Sequence, residues 1–228
     1  LHLLGLRLEG KDAQTALQVA PHLQAAGPIE KIRIPAGPFL MGKDMEVVEL
    51  PDFSISKFPI TIEEYARFVE ATGHRPPKWP GGKFPAESAR HPVVNVSWED
   101  ALAYLSWVGA RLPSEAEWEK AARGSQGWLY PWGNEFIPDN CNCSESKTEG
   151  TRPVDAHPGG VSPHGVMDMA GNVWEWTSSL YEAGADWRVL KGGSWDYKGF
   201  KDARAAARVY FGPTFRSGAI GFRCAWDS

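Results

Sequence analysis

Sulfur and imidazole have the widest chemical reach among the side chains of this sequence, and their spacing is what limits them. The cysteines are Cys141, Cys143 and Cys224, too few for a disulfide framework. Thiolates hold soft metals and support redox steps. One residue separates Cys141 from Cys143, which strains a bridge between them, and no second ligand pair with metal-site spacing completes a zinc knuckle. Cys224 ends the run Gly221-Phe222-Arg223-Cys224, where a packed thiol is the ordinary expectation. The histidines His2, His22, His74, His91, His157 and His164 form no HxxxH pair, and His91, His157 and His164 read as turn or surface residues. There is no Gly-x-Ser-x-Gly elbow and no phosphate loop.

The elements that would position these groups are short. Three segments place a hydroxyl before a helix and a carboxylate three residues later: Thr61 with Glu64, Ser97 with Asp100, and Ser114 with Glu117. The first helix is expected to reach about Ala71 with Ile62, Tyr65, Ala66 and Val69 on one face. The second is expected to reach Val108, burying Trp98, Leu102 and Leu105. The third ends near Arg123 with Trp118 and Ala122 inward. Alternating runs predict strands at 31–34, 39–42, 53–58, 173–177, 188–192 and 221–225. Residues 138–165 read as one long loop, of the kind that is functional or held by a bound ion. Residues 1–28 carry helical spacing at Ala16, Leu17, Ala20 and Leu23 and read as a linker helix or the tail of an upstream domain, leaving 29–228 as the folded domain. The start at Leu1 points to a fragment of a longer chain.

Composition excludes several classes. With 24 Gly, 18 Pro and 11 Trp in 228 residues, the chain is neither a coiled coil nor a helical repeat array, but a loop-rich fold pinned by aromatics. A net charge of −4 and a pI of about 5.9 argue against a nucleic-acid partner held through phosphates. No apolar stretch is long enough to span a membrane. Scarce Asn and Gln fit a thermophilic source.

The order of motifs is specific. Ile34-Pro35-Ala36-Gly37-Pro38-Phe39-Leu40-Met41-Gly42 is followed by Arg111-Leu112-Pro113-Ser114-Glu115-Ala116-Glu117-Trp118-Glu119 and Tyr130-Pro131-Trp132-Gly133. Then come Asp168-Met169-Ala170-Gly171-Asn172-Val173-Trp174-Glu175-Trp176, Gly192-Gly193-Ser194-Trp195 and Gly221-Phe222-Arg223-Cys224. From about residue 30 to 228 this resembles the formylglycine-generating-enzyme (sulfatase-modifying factor) family. The resemblance implies an α+β, C-type-lectin-like fold with two main helices, small twisted antiparallel sheets and long loops. It also implies an enzyme that oxidises a sulfatase cysteine, using copper on a cysteine pair shortly after the Gly-Gly-Ser-aromatic motif. Here that stretch, residues 195–204, contains no cysteine, so no copper is expected and the enzymatic activity is discounted. The family's iron-dependent sister group implies a histidine triad that this sequence also lacks.

A second resemblance lies between Gly192 and Arg223. The fixed residues Trp195, Arg204, Arg208, Pro213, Arg216, Ile220 and Arg223 alternate with short gaps, which looks like the variable region of a diversity-generating retroelement target protein. In those systems, adenines of Asn codons are randomised on a constant scaffold. Val209, Tyr210, Phe211, Gly212, Thr214, Phe215, Ser217, Gly218 and Ala219 are all reachable from an Asn codon by adenine changes, as are Asp196, Tyr197 and Ala206; Lys198 and Lys201 are not. These twelve are the candidate ligand-binding residues, with an unidentified protein or other macromolecule as partner. Tyr210, Phe211 and Phe215 lie in a segment without periodicity and are expected to be exposed together on one face. Trp195 is expected to anchor the floor, so that its truncation costs ~3–5 kcal/mol while Phe211→Ala is nearly neutral.

The family resemblance further implies a calcium site, carried over to the side chains of Asp168 and Glu175 and the carbonyls of Gly171 and Val173, as oxygen ligands crowded at a turn suit Ca²⁺. The leading expectation is therefore a non-catalytic display module. An inactive or altered relative of the enzyme is the alternative, and an undiversified interaction domain of a larger effector is a third. A reactive sulfur pair assembled beneath the variable segment would contradict the first.

Overall fold

The three longer helices among the described residues begin where a hydroxyl and a carboxylate exchange bonds with the backbone. In the computed structural model, which describes residues 28–79 and 83–228, Thr61, Ser97 and Ser114 each accept a hydrogen bond from the backbone N–H three residues on. Glu64, Asp100 and Glu117 in turn accept from the N–H groups of those capping residues. These helices are α1 (Ile62–Thr72), α2 (Trp98–Val108) and α3 (Glu115–Arg123). A single turn, α4 (Gly199–Asp202), follows much later. The expected linker helix within residues 1–28 lies outside the described residues, apart from Pro28.

The buried face of α1 is Ile62, Tyr65 and Phe68, with Ala66 and Val69 only half-buried. On α2 the inward stripe is Ala101, Tyr104, Leu105 and Val108. Leu102, expected inside, is 37% exposed, and Trp98 is half-buried. Both misplacements have one cause: large apolar residues flank a stripe whose first position is an alanine. Trp118 and Ala122 of α3 are buried as expected.

Among the described residues, nine strands form three small sheets. The first has the order β1 (Lys31–Ile34), β4 (Phe53–Ser56), β9 (Ala225–Asp227), and the second is the hairpin of β2 (Gly37–Met41) and β3 (Glu46–Leu50). The third has the order β7 (Arg208–Phe211), β6 (Arg188–Lys191), β5 (Trp174–Leu180), β8 (Ile220–Phe222). All pairs are antiparallel except β5 with β8, where Glu175 lies opposite Gly221. Three differences from the sequence expectation appear: β3 is additional, residues 208–211, expected as a surface loop, pair along β6, and the one strand expected at 221–225 is split into β8 and β9, which belong to different sheets.

The main core packs α1 and α2 against Trp174, Trp176, Leu190 and Phe222, and a second cluster gathers Ile34, Phe53 and Ile55 around Trp118 and Met169. The long loop at 138–165 contains three short 3₁₀ turns and is held by amides. The side-chain NH₂ of Asn142 donates to the Asn172 side-chain oxygen at 3.1 Å, and that oxygen also accepts from the Arg152 N–H at 2.9 Å. Gly171, at φ +75°, lies so close to the Asn142 carbonyl that any β-carbon there would collide with it.

Charged groups also lie inside. Arg223 and Glu175 are both fully buried, with Nε to Oε2 at 2.6 Å and Nη2 to Oε1 at 2.8 Å. Arg223→Met would leave the Glu175 carboxylate uncompensated and is expected to cost ~3–5 kcal/mol in urea unfolding. Arg223→Met combined with Glu175→Gln should recover part of that loss, whereas a double variant no more stable than Arg223→Met alone would show that the pairing is not what the arginine supplies.

Candidate binding surface

Strand pairing decides which side chains of the 192–223 segment face outward. Arg208 and Tyr210 alternate with Val209 and Phe211 along β7, so the two pairs lie on opposite faces. Tyr210 is 39% exposed and sits in an aromatic cluster: its ring centroid is 3.9 Å from Tyr181 and 4.8 Å from Trp187, nearly parallel to the latter at 12°. The Arg208 guanidinium lies 4.6 Å from the Tyr181 ring and pairs with Glu115 at 3.1 Å. Val209 and Phe211 are half-buried against the main core, and Phe211 stacks on the exposed Phe215 at 4.2 Å. The expectation of three aromatics on a single face is thus corrected, because the period of a strand separates Tyr210 from Phe211.

The loop after β7 is fastened through its backbone. The Trp98 N–H donates to the Pro213 carbonyl at 3.0 Å and the Asn95 N–H to the Ser217 carbonyl at 2.9 Å. Arg216 clasps Asp100 at 2.8 Å. Thr214, Phe215 and Gly218 are exposed; Ser217, Gly212 and Ala206 are half-buried. Ala219 is only 5% exposed and its carbonyl accepts from Trp174, so its place in the binding set is corrected too. Asp196 and Tyr197 are exposed, with Tyr197 edge-on to Trp174. Trp195 is half-buried, not a core residue, and its indole N–H reaches the Gly218 carbonyl at 3.3 Å.

Two surface residues escaped the sequence reading. Tyr181 and Trp187 flank the turn between β5 and β6, outside the segment singled out, and Trp187 is 44% exposed. Large aromatics at both ends of the Glu182-Ala183-Gly184 turn have no role in making that turn, and this was the available signal.

The expected calcium ligands do come together, but with other partners. Both oxygens of Glu175 accept from Arg223, and Oε2 also accepts the Trp118 indole N–H at 2.7 Å. One oxygen of Asp168 accepts from the Asn172 amide at 2.8 Å, and the Gly171 carbonyl accepts from the Val173 N–H at 2.8 Å. With a guanidinium fixed on Glu175, this donor set does not fit a divalent cation. Among the described residues no cluster of three or more His, Cys, Asp or Glu side chains is placed to hold a metal.

The two neighbouring cysteines are the unexpected assembly. Cys141 Sγ and Cys143 Sγ lie 3.6 Å apart, both buried, with Ala170, Ala203, Trp132 and Phe136 packed around them. Gly199 roofs the pair: a β-carbon there would stand 2.6 Å from Cys143 Sγ. The thiol hydrogen bond pushes Cys141 up, aided by burial, and holds Cys143 below its ordinary value. A sulfur pair therefore does lie beneath the segment 195–203, with both side chains closed off from solvent.

Burial pushes the Asp168 carboxyl from 3.8 up to about 7, against the lowering effects of Asn172 and Arg223. The folded chain then holds a proton that the unfolded chain releases between about pH 4 and 7, so this group's contribution to stability falls as pH rises through that window. Asp168→Asn suits the left-handed backbone there (φ 57°). It is expected to match the parent in Tm near pH 4 and to exceed it above pH 7. A constant gap across that range would contradict the assignment.

The sulfatase-modifying factor enzyme 1-like domain model matches residues 18–228. The chain is 35% identical over 262 residues to the inactive C-alpha-formylglycine-generating enzyme 2 of Mus musculus, covering 85% of this chain and 84% of that protein. It is 32% identical over 287 residues to the formylglycine-generating enzyme of Thermomonospora curvata, covering 86% and 93%. Among solved structures, Treponema denticola variable protein 1 shares the fold with a TM-score of 0.73 at 21% identity, over 87% of this chain and 95% of that one. The motif order, the α+β architecture with small, mostly antiparallel sheets, and the matched span agree: the chain belongs to the sulfatase-modifying factor enzyme 1-like domain family.

Proposed function

We propose that this chain is a non-catalytic binding module that presents the outer side chains of residues 196–218, together with Tyr181 and Trp187, to a protein or other macromolecular target. The observation that carries this reading is the half-exposed Tyr181–Tyr210–Trp187 cluster, whose Tyr210 is set on a paired strand. Stiff aromatics give contact area at little entropic cost, and a half-exposed aromatic cluster flanked by arginines has the composition of an interface centre. The likeness to an inactive member of the family and the shared fold of a variable protein support the same reading. Diversification by a retroelement is its finer form, supported by the residue types at the candidate positions, each reachable from an Asn codon by adenine changes.

Sequencing the native locus is expected to reveal a reverse-transcriptase gene and a near-copy of the 192–223 coding segment differing only opposite adenines. Absence of such a copy would remove the diversified form and leave a fixed interaction domain.

Stability should separate display from scaffold. Tyr210→Ala is expected to change unfolding free energy by less than about 1 kcal/mol. Phe211→Ala should cost ~2 kcal/mol, less than a core phenylalanine because its ring is only half-buried. The reverse ranking in denaturant titrations would contradict the division.

The Cys141–Cys143 pair favours a second reading, thiol chemistry akin to that of the catalytic relatives. If the pair only packs, the native chain should react with Ellman's reagent far more slowly than the unfolded chain, which should release one equivalent for each of its 3 cysteines. Rapid modification of two thiols in the native state, with copper-dependent oxidation of a cysteine in a sulfatase-derived peptide, would overturn the binding reading.

A further inference from the structure

A recessed cavity of about 270 Å³ opens between α1, the residues that follow it and the N-terminal end of α2. Tyr65 lines it, fully buried, and the Tyr65 hydroxyl has no hydrogen-bond partner. A phenol withdrawn from water without a partner is costly, and such orphans mark places where an acceptor is missing.

The charges around this hydroxyl do not cancel. Asp100 is already paired: its Oδ2 accepts from the Ser97 N–H at 2.8 Å and from Arg216 Nε at 2.8 Å, and its Oδ1 faces His74 Nε2 at 3.1 Å. Arg216 is committed to Asp100 and to the Thr214 carbonyl. Arg75 and Lys78 also line the cavity; both are exposed and neither has an ion-pair partner among the described residues. Two cations without an ion-pair partner among the described residues thus line the same cavity as Tyr65, whose buried hydroxyl is unused. Pro76, Pro77 and Val96 supply an apolar lining beside them. The volume lies just below the range of drug-sized ligand sites, which suits a ligand of few atoms.

The geometry points to a binding site for a carboxylate attached to a small apolar body, with Arg75 and Lys78 neutralising the charge and Tyr65 donating to one oxygen. The carboxylate belongs either to a free small molecule or to an acidic side chain of a bound protein. This site is separate from the Tyr181–Tyr210–Trp187 cluster and stands or falls independently of the display reading.

Calorimetric titration of the chain with benzoate is expected to saturate, and benzamide, of the same shape but uncharged, should bind at least tenfold more weakly. Arg75→Ala and Lys78→Ala should each weaken benzoate threefold or more at unchanged Tm. Tyr65→Phe should weaken benzoate without lowering the Tm of the empty protein, since the hydroxyl it removes bonds nothing there. Competition by N-acetyl-glutamate amide assigns the site to a protein side chain, while its failure to compete with bound benzoate assigns it to a free small molecule. Equal affinity for benzoate and benzamide, or a Tyr65→Phe variant that loses stability and keeps benzoate affinity, would overturn the proposal.

Discussion

One guanidinium holds the centre of this molecule. Arg223 reaches Glu175 on β5 with two nitrogens and turns its remaining donors to the carbonyls of Ser56, Lys57, Met167 and Asp168. Glu175 in turn receives the Trp118 indole N–H from α3. Two sheets, a helix and the loop preceding β5 are therefore registered on a single buried charge pair. Desolvating both ions offsets much of their attraction, so such a pair is better understood as fixing one arrangement than as adding net stability. The planar fork of arginine is what allows a single residue to serve two carboxylate oxygens and several carbonyls together.

A second buried network runs from this centre to the surface. Glu119 on α3 accepts from Arg123 at 2.8 Å and from the Gly42 N–H at 2.6 Å, while its other oxygen takes Lys191 at 2.8 Å. Lys191, fully buried on β6, also approaches Glu115 at 3.6 Å, and Glu115 pairs with the exposed Arg208. The hairpin of β2 and β3, helix α3 and the strands under the aromatic cluster are joined by alternating charges. Each buried ion of this network has its counter-ion, which is the condition under which buried charge is tolerated.

Short-range residue types carry the helix starts, whereas contacts across the chain are not visible in them. The three capping boxes, the inward Trp118 and the scaffold arginines follow from residue types a few positions apart. The strand at 208–211 does not, because four residues rich in arginine and aromatics become a strand only when β6 lies beside them. The same holds for the sulfur pair. One intervening residue argued against a bridge, and only the fold shows that an extended backbone, packed under Gly199, turns both thiols to the same side. The partner of Glu175 lies 48 residues away, so the calcium expectation, carried over from the family resemblance by position, could not say which arginine takes both oxygens.

What makes the outer segment suited to variation is that its loop is held by atoms every residue possesses. The contacts fastening residues 212–217 to α2 run from the Trp98 and Asn95 N–H groups to the Pro213 and Ser217 carbonyls, with the Phe215 N–H returning to the Gly212 carbonyl. The one side-chain clasp, Arg216 on Asp100, uses a residue outside the adenine-reachable set of gaps. Thr214, Phe215 and Gly218 can therefore change identity without removing a bond that positions the loop. Val209, Phe211 and Ala219 differ: they meet the core or lie within it, so a change there alters packing as well as surface. On the display reading, useful diversity concentrates at the outward positions, and the inward ones are confined to side chains of similar volume.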